Sequence, residues 1–529
     1  MRTLNRLLQR RSVRLGALAF SGLLTGLTVC FPVIGALEWV SLIPAALVLF
    51  SIADDGKNRL RSAYLYGLFF FACYFAVTWH WFYVMYPMSY AGLSNLESIA
   101  VIAGVIIALP VFQATSFAFS FLITAKLARG QIAKKYSVVI PLSFALLWTV
   151  FEWMQTLFWF GVPWGRLAIG QTGLLVTAQT ASWFGCYFVT LLLVLVNALA
   201  AYAIYKLETS RAFAVAAASV FTFNLLAGAV MMAAPKKAGE RVTVAAIQGN
   251  LISSEYWSES HIREVYGELT RKASEQGADV IVWPETVFIN TPLEYSGENQ
   301  SFISQLAKEL EVTLLVGTRS TAGVGGQYNA MVTVYPDGSY DDEMYFKQYL
   351  VPFGEYVPWS ELLTAIAPLL GEINMLNVDW NAGESSTVVD RIGSIICFDS
   401  IYEETVRQST ANGAEIIAIE TNDSWFLDSC AIYMHLAQAQ LRAIENGRYV
   451  VRAANTGVSA IISPSGAILD SKEALTTGYS ISEAEMLTEL TLYTAVGNLI
   501  VWLSVAVVVA LVVSDSVLKR RGGKKNVDR

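Results

Sequence analysis

The chain has 529 residues, of which 54% are hydrophobic and 12% aromatic, and this composition excludes a wholly soluble protein of this length. Its net charge of −7 is unevenly distributed: residues 241–490 hold 13 Lys and Arg against 34 Asp and Glu, whereas the rest of the chain holds 23 against 9. The acidic region lacks the basic patch that binding to nucleic acid requires, so no nucleic-acid partner is expected.

Eight apolar runs are candidates for membrane-spanning helices, each of which needs about 20 residues. They lie near residues 15–35, 37–53, 63–84, 99–125, 137–157, 178–204, 212–234 and 491–514. Residues 1–14 carry five arginines and resemble the start of a cleavable signal peptide, but the runs that follow favour a retained first helix. The pattern predicts an α-helical membrane bundle with eight transmembrane helices.

Basic residues orient the chain, because Lys and Arg accumulate in short cytoplasmic segments of membrane proteins. With the N-terminus inside, the cytoplasmic segments hold 20 of the 23 basic residues outside 241–490. We therefore expect a multi-pass protein of the bacterial inner membrane, with both termini in the cytoplasm and the acidic region in the periplasm. The predicted domains are a seven-span transmembrane region (1–235), a periplasmic domain (236–488), and a last transmembrane helix with a basic tail (489–529).

Between the last two spans, short β-like runs alternate with amphipathic helical runs. Strands are predicted at 242–248, 278–283, 312–318, 328–335, 392–398, 414–420, 449–455 and 459–463, and helices near 256–276, 299–310, 402–412 and 431–446. This alternation predicts an α/β domain with a mixed sheet covered by helices.

Three polar residues end apolar strands, where ligands collect in α/β sheets. Glu285 follows ADVIVWP, Lys347 ends DDEMYFK, and Cys397 ends GSIIC. Separately they are explained as a loop acid, a surface charge and a small buried hydrophobe. Together they could form a nucleophilic catalytic site, because a thiol attacks a carbonyl carbon as the thiolate and needs a base or a cation to become one. Glu285 could accept the thiol proton, and Lys347 could stabilise the thiolate and, with the backbone N–H of Phe398, an oxyanion.

Other cysteine chemistry has less support in the sequence. The five cysteines show no paired spacing and the chain has only three histidines, so neither a disulfide framework nor a metal site is expected. A Cys–His arrangement with His435 or His261 as the base is the competing scheme. His435 lies inside the helical run MHLAQAQLRAIENG, where packing or capping is the favoured role.

The order of Glu285, Lys347 and Cys397 in an α/β domain resembles the Glu-Lys-Cys triad of the nitrilase superfamily, which implies an αββα sandwich. With this domain placed before the last span, the whole chain resembles the apolipoprotein N-acyltransferase family. The segments that carry the match are IVWPET, KQYLVPFGEYVP, TNDSWF, ENGRYVVRAANTGVSAIISPSG and the membrane segment FGVPWGRLAIGQ (160–171).

This resemblance implies a two-step acyl transfer by a membrane enzyme that acts as a monomer. Cys397 takes an acyl chain from a phospholipid, typically phosphatidylethanolamine, and a lysophospholipid leaves. The thioester is then attacked by the α-amino group of the S-diacylglyceryl cysteine at the N-terminus of an apolipoprotein. Neither ATP nor a metal is required, so no cofactor is expected.

The resemblance also assigns supporting residues. Glu355 matches a second family glutamate that orients the lysine and the substrate, although it could instead bind a backbone N–H in its GEYVP turn. Trp425 is expected to form a pocket wall, with ordinary burial as the alternative. Phe398 and Asp399 stand where the family more often has Tyr and Glu, and Leu427 stands where Gly is usual; these departures could alter the pocket or the choice of acceptor.

Two other functions remain open at the level of sequence. The first is a membrane-anchored carbon-nitrogen hydrolase, an amidase in which water resolves the acyl-enzyme. The second is a lipid transporter with a non-catalytic domain, which the few charged residues in the spans disfavour. Residues 359–370 place apolar side chains at near-helical spacing, which favours a lid that rests on lipid over core packing.

Overall fold

The computed structural model describes residues 6–54, 60–89, 92–157, 161–206, 209–234, 238–252, 258–322, 326–360, 365 and 380–525, the side chains of 521–525 excepted. The chain divides into two compact units. Met1–Tyr83, Val101–Ala234 and Asn498–Arg529 belong to the first, and Val84–Ala100 and Pro235–Gly497 to the second. The predicted domain boundaries at 235 and 488 stay a prediction.

The first unit is built from apolar helices. The main ones are α1 (Arg11–Cys30), α2 (Ile43–Asp54), α3 (Leu60–Thr78), α4 (Asn95–Ala128), α5 (Val139–Met154), α6 (Cys186–Tyr205) and α7 (Ser210–Ala233). The first residues of α4 belong to the second unit, and a last helix, Leu499–Lys525, follows the second unit in the chain. Within the described residues, seven segments are long and apolar enough to cross a membrane: Arg11–Cys30, Pro32–Asp54, Leu60–Thr78, Asn95–Ala128, Cys186–Tyr205, Ser210–Ala233 and Leu499–Arg520. The eighth predicted span corresponds to α5, which has only 16 residues, so a count of eight stays a prediction.

A cluster of buried polar groups in this unit is joined by hydrogen bonds, which offset the cost of burying them in an apolar environment. Gln171 Nε2 donates to the Glu38 carboxylate at 2.5 Å and to the carbonyl oxygen of Gly35 at 3.0 Å. Gln171 Oε1 accepts from Trp39 Nε1 at 2.9 Å. A Cβ on Gly35 would lie 1.8 Å from the carbonyl oxygen of Gly170, so a glycine is needed where these two segments meet.

Twelve strands and four main helices occupy the described part of the second unit. The strands are β1 (Glu240–Gln248), β2 (Val280–Val282), β3 (Thr313–Ser320), β4 (Tyr328–Val334), β5 (Tyr345–Phe346), β6 (Val388–Val389), β7 (Ile392–Ile396), β8 (Ile416–Thr421), β9 (Tyr449–Ala454), β10 (Ser459–Ile462), β11 (Ile468–Lys472) and β12 (Gly478–Met486). The helices are α8 (Glu259–Glu275), α9 (Gly297–Leu310), α10 (Glu403–Ala411) and α11 (Cys430–Asn446). The last helix of the first unit, Leu499–Lys525, is labelled α12.

These strands form two six-stranded sheets, in the orders β12-β1-β2-β3-β4-β5 and β11-β10-β9-β8-β7-β6. In the first sheet β1, β2 and β3 are parallel, and in the second β7, β8 and β9 are parallel. The outer strands of both sheets pair antiparallel. Each sheet therefore carries a parallel core of strand–helix–strand units, with an antiparallel border.

Helices cover the outer face of each sheet. Ile262 of α8 and Ile303 of α9 share a buried cluster with Ile281 of β2. Val406 of α10 likewise packs in a cluster with Ile417 of β8. A third cluster joins the inner faces of the two sheets, with members such as Val282, Leu315, Ile396 and Ala418. The domain is thus an αββα sandwich.

The predicted α/β class is confirmed, and a strand is present at each of the eight predicted positions. The αββα sandwich that the resemblance implied is also confirmed, because the strands divide between two sheets, each of them mixed and covered by helices. β5, β6, β11 and β12 were not predicted: the first two have two residues each, and the last two carry exposed polar side chains. Most of the lid expected at 359–370 lies outside the described residues; Trp359, at its start, is exposed.

Candidate active site

Cys397 follows β7 directly and begins a 3-10 helix, Cys397–Ile401. Its φ of 47° lies in the left-handed region, which is costly for a residue with a side chain and is tolerated mainly at functional turns. Ser400 Oγ donates to the carbonyl oxygen of Cys397 at 2.7 Å, and His435 Nε2 lies 3.3 Å from the same oxygen. These contacts hold the turn that carries the thiol.

Glu285 lies just beyond β2 and is buried. Its Oε1 lies 2.9 Å from Lys347 Nζ and accepts from Asn329 Nδ2 at 2.7 Å. Its Oε2 accepts from the backbone N–H of Asn422 at 2.8 Å. Both oxygens of the carboxylate are therefore engaged, which fixes the orientation of the group.

Lys347 follows the short strand β5 and is 1% exposed. Its Nζ lies 2.9 Å from a carboxylate oxygen of Glu285 and 2.9 Å from one of Glu355. Burial by itself lowers the pKa of the ammonium group, but the two carboxylates outweigh burial and hold that pKa well above its usual value. The lysine is therefore a buried cation shared by two acids.

Glu355 contacts the lysine and also binds a backbone N–H, while its role toward the substrate stays a prediction. Its Oε1 contacts Lys347 and accepts from Asn329 Nδ2 at 3.1 Å, and its Oε2 accepts from the backbone N–H of Val351 at 2.8 Å. The side chain thus positions the lysine and also closes its own turn.

The thiol of Cys397 is half-buried. Burial and the negative charge of Glu285 raise its pKa well above the usual value, while Lys347 acts in the opposite direction. Cys397 therefore lies close enough to Glu285 and Lys347 for both charges to act on its sulfur. The resting side chain is a thiol, and an attack by this sulfur needs a base that removes the proton during the reaction.

Asp399, which replaces the more usual glutamate, is fully buried and accepts hydrogen bonds from the segment that carries Lys347. Its Oδ2 accepts from Tyr345 Oη at 2.7 Å and from the backbone N–H of Gln348 at 3.3 Å, and its Oδ1 accepts from the backbone N–H of Tyr349 at 2.7 Å. Burial raises the pKa of Asp399 to about 7, against the hydrogen bond from Tyr345. Asp399 links the turn of Cys397 to the segment of Lys347.

The remaining two predicted residues lie at the edges of this arrangement. Phe398 is half-buried, and its ring packs edge-on against Tyr402 with centroids 5.5 Å apart. Trp425 is half-buried in the 3-10 helix Asp423–Phe426, just beyond β8. Its role as a pocket wall stays a prediction.

His435 is part of a buried network behind Cys397. Its Nδ1 lies 2.9 Å from Asp423 Oδ1, and its Nε2 lies 3.0 Å from Ser400 Oγ. Arg452 pairs with the other oxygen of Asp423 at 2.7 Å. Burial alone raises the pKa of Asp423, but Arg452 and His435 outweigh it and hold that pKa far below its usual range. His435 thus supports the turn of Cys397 through Ser400.

Sequence reasoning missed Asn329 and Asn422. Asn329 Nδ2 donates to both Glu285 and Glu355, and its backbone oxygen accepts from the N–H of Lys347 at 2.9 Å. An amide side chain in the fully buried strand β4 was the available signal. Asn422 contributes through its backbone N–H, for which residue type gives no signal.

The fold of the second unit defines a class of protein, the carbon-nitrogen hydrolase domains of the nitrilase type. The sequence model of the carbon-nitrogen hydrolase family matches residues 243–488. A second model, the apolipoprotein N-acyltransferase N-terminal domain, matches residues 21–199. A solved structure of a carbon-nitrogen hydrolase from Helicobacter pylori is also similar, at 18% identity and a TM-score of 0.37, over 46% of this chain and 89% of that one.

Curated relatives extend this likeness over most of the chain. An apolipoprotein N-acyltransferase from Pseudomonas syringae is 30% identical over 83% of this chain and 84% of the relative. One from Methylococcus capsulatus is 30% identical over 78% and 81%, and one from Gloeobacter violaceus is 29% identical over 97% of each chain. The chain belongs to the apolipoprotein N-acyltransferase family, and the resemblance drawn from its sequence is confirmed.

Proposed function

We propose that this protein transfers an acyl chain from a phospholipid, with phosphatidylethanolamine as donor, to the N-terminal α-amino group of S-diacylglyceryl apolipoproteins. The observation that carries the proposal is the buried Lys347, held 2.9 Å from both Glu285 and Glu355 where its charge acts on Cys397. Family membership supports the choice of acceptor, since the relatives are named for apolipoprotein N-acylation.

In the first step the sulfur of Cys397 attacks the ester carbonyl carbon of the phospholipid. Glu285 accepts the thiol proton as the C–S bond forms, because the raised pKa of the thiol leaves little thiolate beforehand. Lys347 and the backbone N–H of Phe398 stabilise the negative oxygen of the tetrahedral intermediate. The C–O bond then breaks, and Glu285 returns the proton to the leaving oxygen of the lysophospholipid.

In the second step the acceptor amine attacks the thioester carbon. The C–N bond forms and the C–S bond breaks, while Glu285 takes a proton from the amine and passes it to the sulfur of Cys397. The enzyme returns to its resting state after two transfers, which is a ping-pong sequence. These steps use the triad, the backbone N–H of Phe398 and no cofactor, within a single copy of the chain.

The direct experiment follows both products by mass spectrometry. The purified protein in phosphatidylethanolamine vesicles is given a lipopeptide that carries an S-diacylglyceryl cysteine with a free amine. We expect the mass of one acyl chain on that amine, a hydroxylamine-sensitive acyl group on Cys397, and neither product with Cys397→Ala. Fatty acid release without acylated lipopeptide would instead support the amidase, and undiminished transfer by Cys397→Ala would exclude the thioester route.

A further inference from the structure

Glu420 is a buried acid within the parallel core of the second sheet. It lies in β8, where its Cα pairs with that of Ile396 in β7 and that of Ala453 in β9. Ile416 and Ala418 of the same strand belong to the cluster between the sheets. Because side chains alternate along a strand, Glu420 points the same way, into the space between the two sheets.

Gly317 provides the room for this carboxyl group. It lies in β3, two residues after Leu315, which faces the same space. A Cβ on Gly317 would lie 2.7 Å from Glu420 Oε2, and also 2.2 Å from the carbonyl oxygen of Pro284 and 2.7 Å from the backbone nitrogen of Thr286. The Glu420 carboxyl therefore crosses to the first sheet and lies beside the backbone on either side of Glu285.

The surroundings of Glu420 favour its neutral form. The side chain is 0% exposed, and neither carboxyl oxygen has a hydrogen-bond partner among the described residues. An ionised carboxylate without a partner is so costly to bury that the group keeps its proton instead. The charged groups that act on it are Glu285 and Lys347: burial and then Glu285 raise the pKa of Glu420, and Lys347 only partly opposes them. Its neighbours on the adjacent strands, Ile396 and Ala453, are uncharged.

We propose that Glu420 is a positioning residue for the acyl transfer, whose protonated carboxyl fills the gap opposite Gly317 and acts on Cys397 through Glu285. The proposal rests on the function given above. A neutral Glu420 limits the negative charges at Lys347 to the two carboxylates that contact it. Ionisation would place a third negative charge beside Glu285, which would strengthen Glu285 as the base that takes the thiol proton and so speed the acylation of Cys397.

The protonation state is measured by infrared difference spectroscopy of the full-length protein in lipid nanodiscs. Glu420→Gln keeps the shape of the side chain, and Glu415→Gln is the matched control, because Glu415 pairs with Arg391 at 3.2 Å near the start of the same strand. We expect the wild-type spectrum minus the Glu420→Gln spectrum to show the C=O band of a protonated carboxyl at neutral pH, and the same subtraction with the Glu415→Gln control to show none. An unchanged band in Glu420→Gln would overturn the proposal.

The role is measured by the rate of acylation of Cys397 between about pH 6 and pH 10, compared as a ratio of Glu420→Gln to wild type. We expect a ratio within about twofold at the acid end, falling to roughly one tenth at the alkaline end, where only the wild type gains the extra charge. Glu420→Leu, which is also neutral, should give the same profile and guards against a defect specific to glutamine. A ratio that does not change with pH would remove Glu420 from the reaction, whereas absence of any acyl-Cys397 in the wild type would count against the proposed function.

Discussion

At the scale of single residues, Lys347 is the group on which the site depends most. It is the one cation in contact with Glu285 and Glu355 among the residues described, and all three side chains are buried. A buried ion pair contributes little net stability compared with apolar residues of the same size, but removal of one partner leaves an uncompensated charge at a cost of about 3–5 kcal/mol. The cluster therefore serves chemistry more than stability.

Lys347→Met is expected to lower the rate of Cys397 acylation by about 10²–10³-fold, since it removes the cation that faces the oxyanion. It should also destabilise the fold, because two carboxylates remain without their partner. A carboxylate that takes up a proton loses its charge, so acid conditions relieve the repulsion between the two groups. The stability deficit should then shrink as the pH falls and grow as it rises.

Single-turnover acylation and thermal unfolding across the pH range measure the two effects separately. Lys308→Met is the matched control, because Lys308 is exposed on α9 in the same unit. Equal behaviour of the two variants would exclude the role given to Lys347.

At the scale of elements, the turn after β7 joins several parts of the second unit. Cys397 holds a left-handed backbone, and Ser400 and His435 contact its carbonyl oxygen. Behind them Asp423 and Arg452 form a buried ion pair at 2.7 Å. Strain at the nucleophile is thus maintained by a polar network that extends from the end of β8 to α11 and β9.

Ser400→Ala removes the hydroxyl that donates to the carbonyl oxygen of Cys397. The acylation rate should fall about tenfold as the thiol becomes less well placed, and stability should fall by about 1 kcal/mol. Ser409→Ala is the control, because Ser409 is equally buried but its hydroxyl has no hydrogen-bond partner among the described residues. If both variants react at the same rate, the hydroxyl of Ser400 does not position the nucleophile.

The same elements show what the sequence could predict. Apolar runs identify the central strands, and the polar residues that end them identify Glu285, Lys347 and Cys397. The pairing of strands could not be predicted from the sequence. Strands such as β8 are buried on both faces, so they show no alternation of apolar and polar residues that would indicate which sheet they join. The contacts of Asn329 could not be predicted for a related reason, since only the folded sheet brings β4 beside the segments of Glu285 and Lys347.

At the scale of the whole molecule, charge is separated along the chain. The region 241–490 is strongly acidic and the remainder is basic. Of the 23 basic residues outside it, 20 fall in the two terminal segments and in alternate loops between the apolar helices, which is the pattern that orients membrane proteins. We propose on this basis that the catalytic unit lies in the periplasm of the inner membrane, with both termini in the cytoplasm.

Fusions to a periplasm-active reporter and a cytoplasm-active reporter measure this topology. We expect a junction at residue 300, in the acidic region, to support only the periplasmic reporter, because the positively charged loops hold the opposite side inside. Junctions at residue 206 and after residue 529 should support only the cytoplasmic reporter. A cytoplasmic signal at residue 300 would reverse the proposed orientation.

The pairing of β1 with β12 has a mechanical consequence. These are the first and last strands of the sandwich along the chain. They pair antiparallel along nine residues, from Glu240 opposite Met486 to Gln248 opposite Gly478. Both ends of the domain therefore lie at the same end of one ladder. A pull on the two ends would load its hydrogen bonds one after another, as in a zipper, and not all together in shear. The sandwich therefore resists tension least where the chain enters and leaves it, at the hydrogen bonds between β1 and β12. The parallel strands that precede Glu285 and Cys397 are not the first to separate.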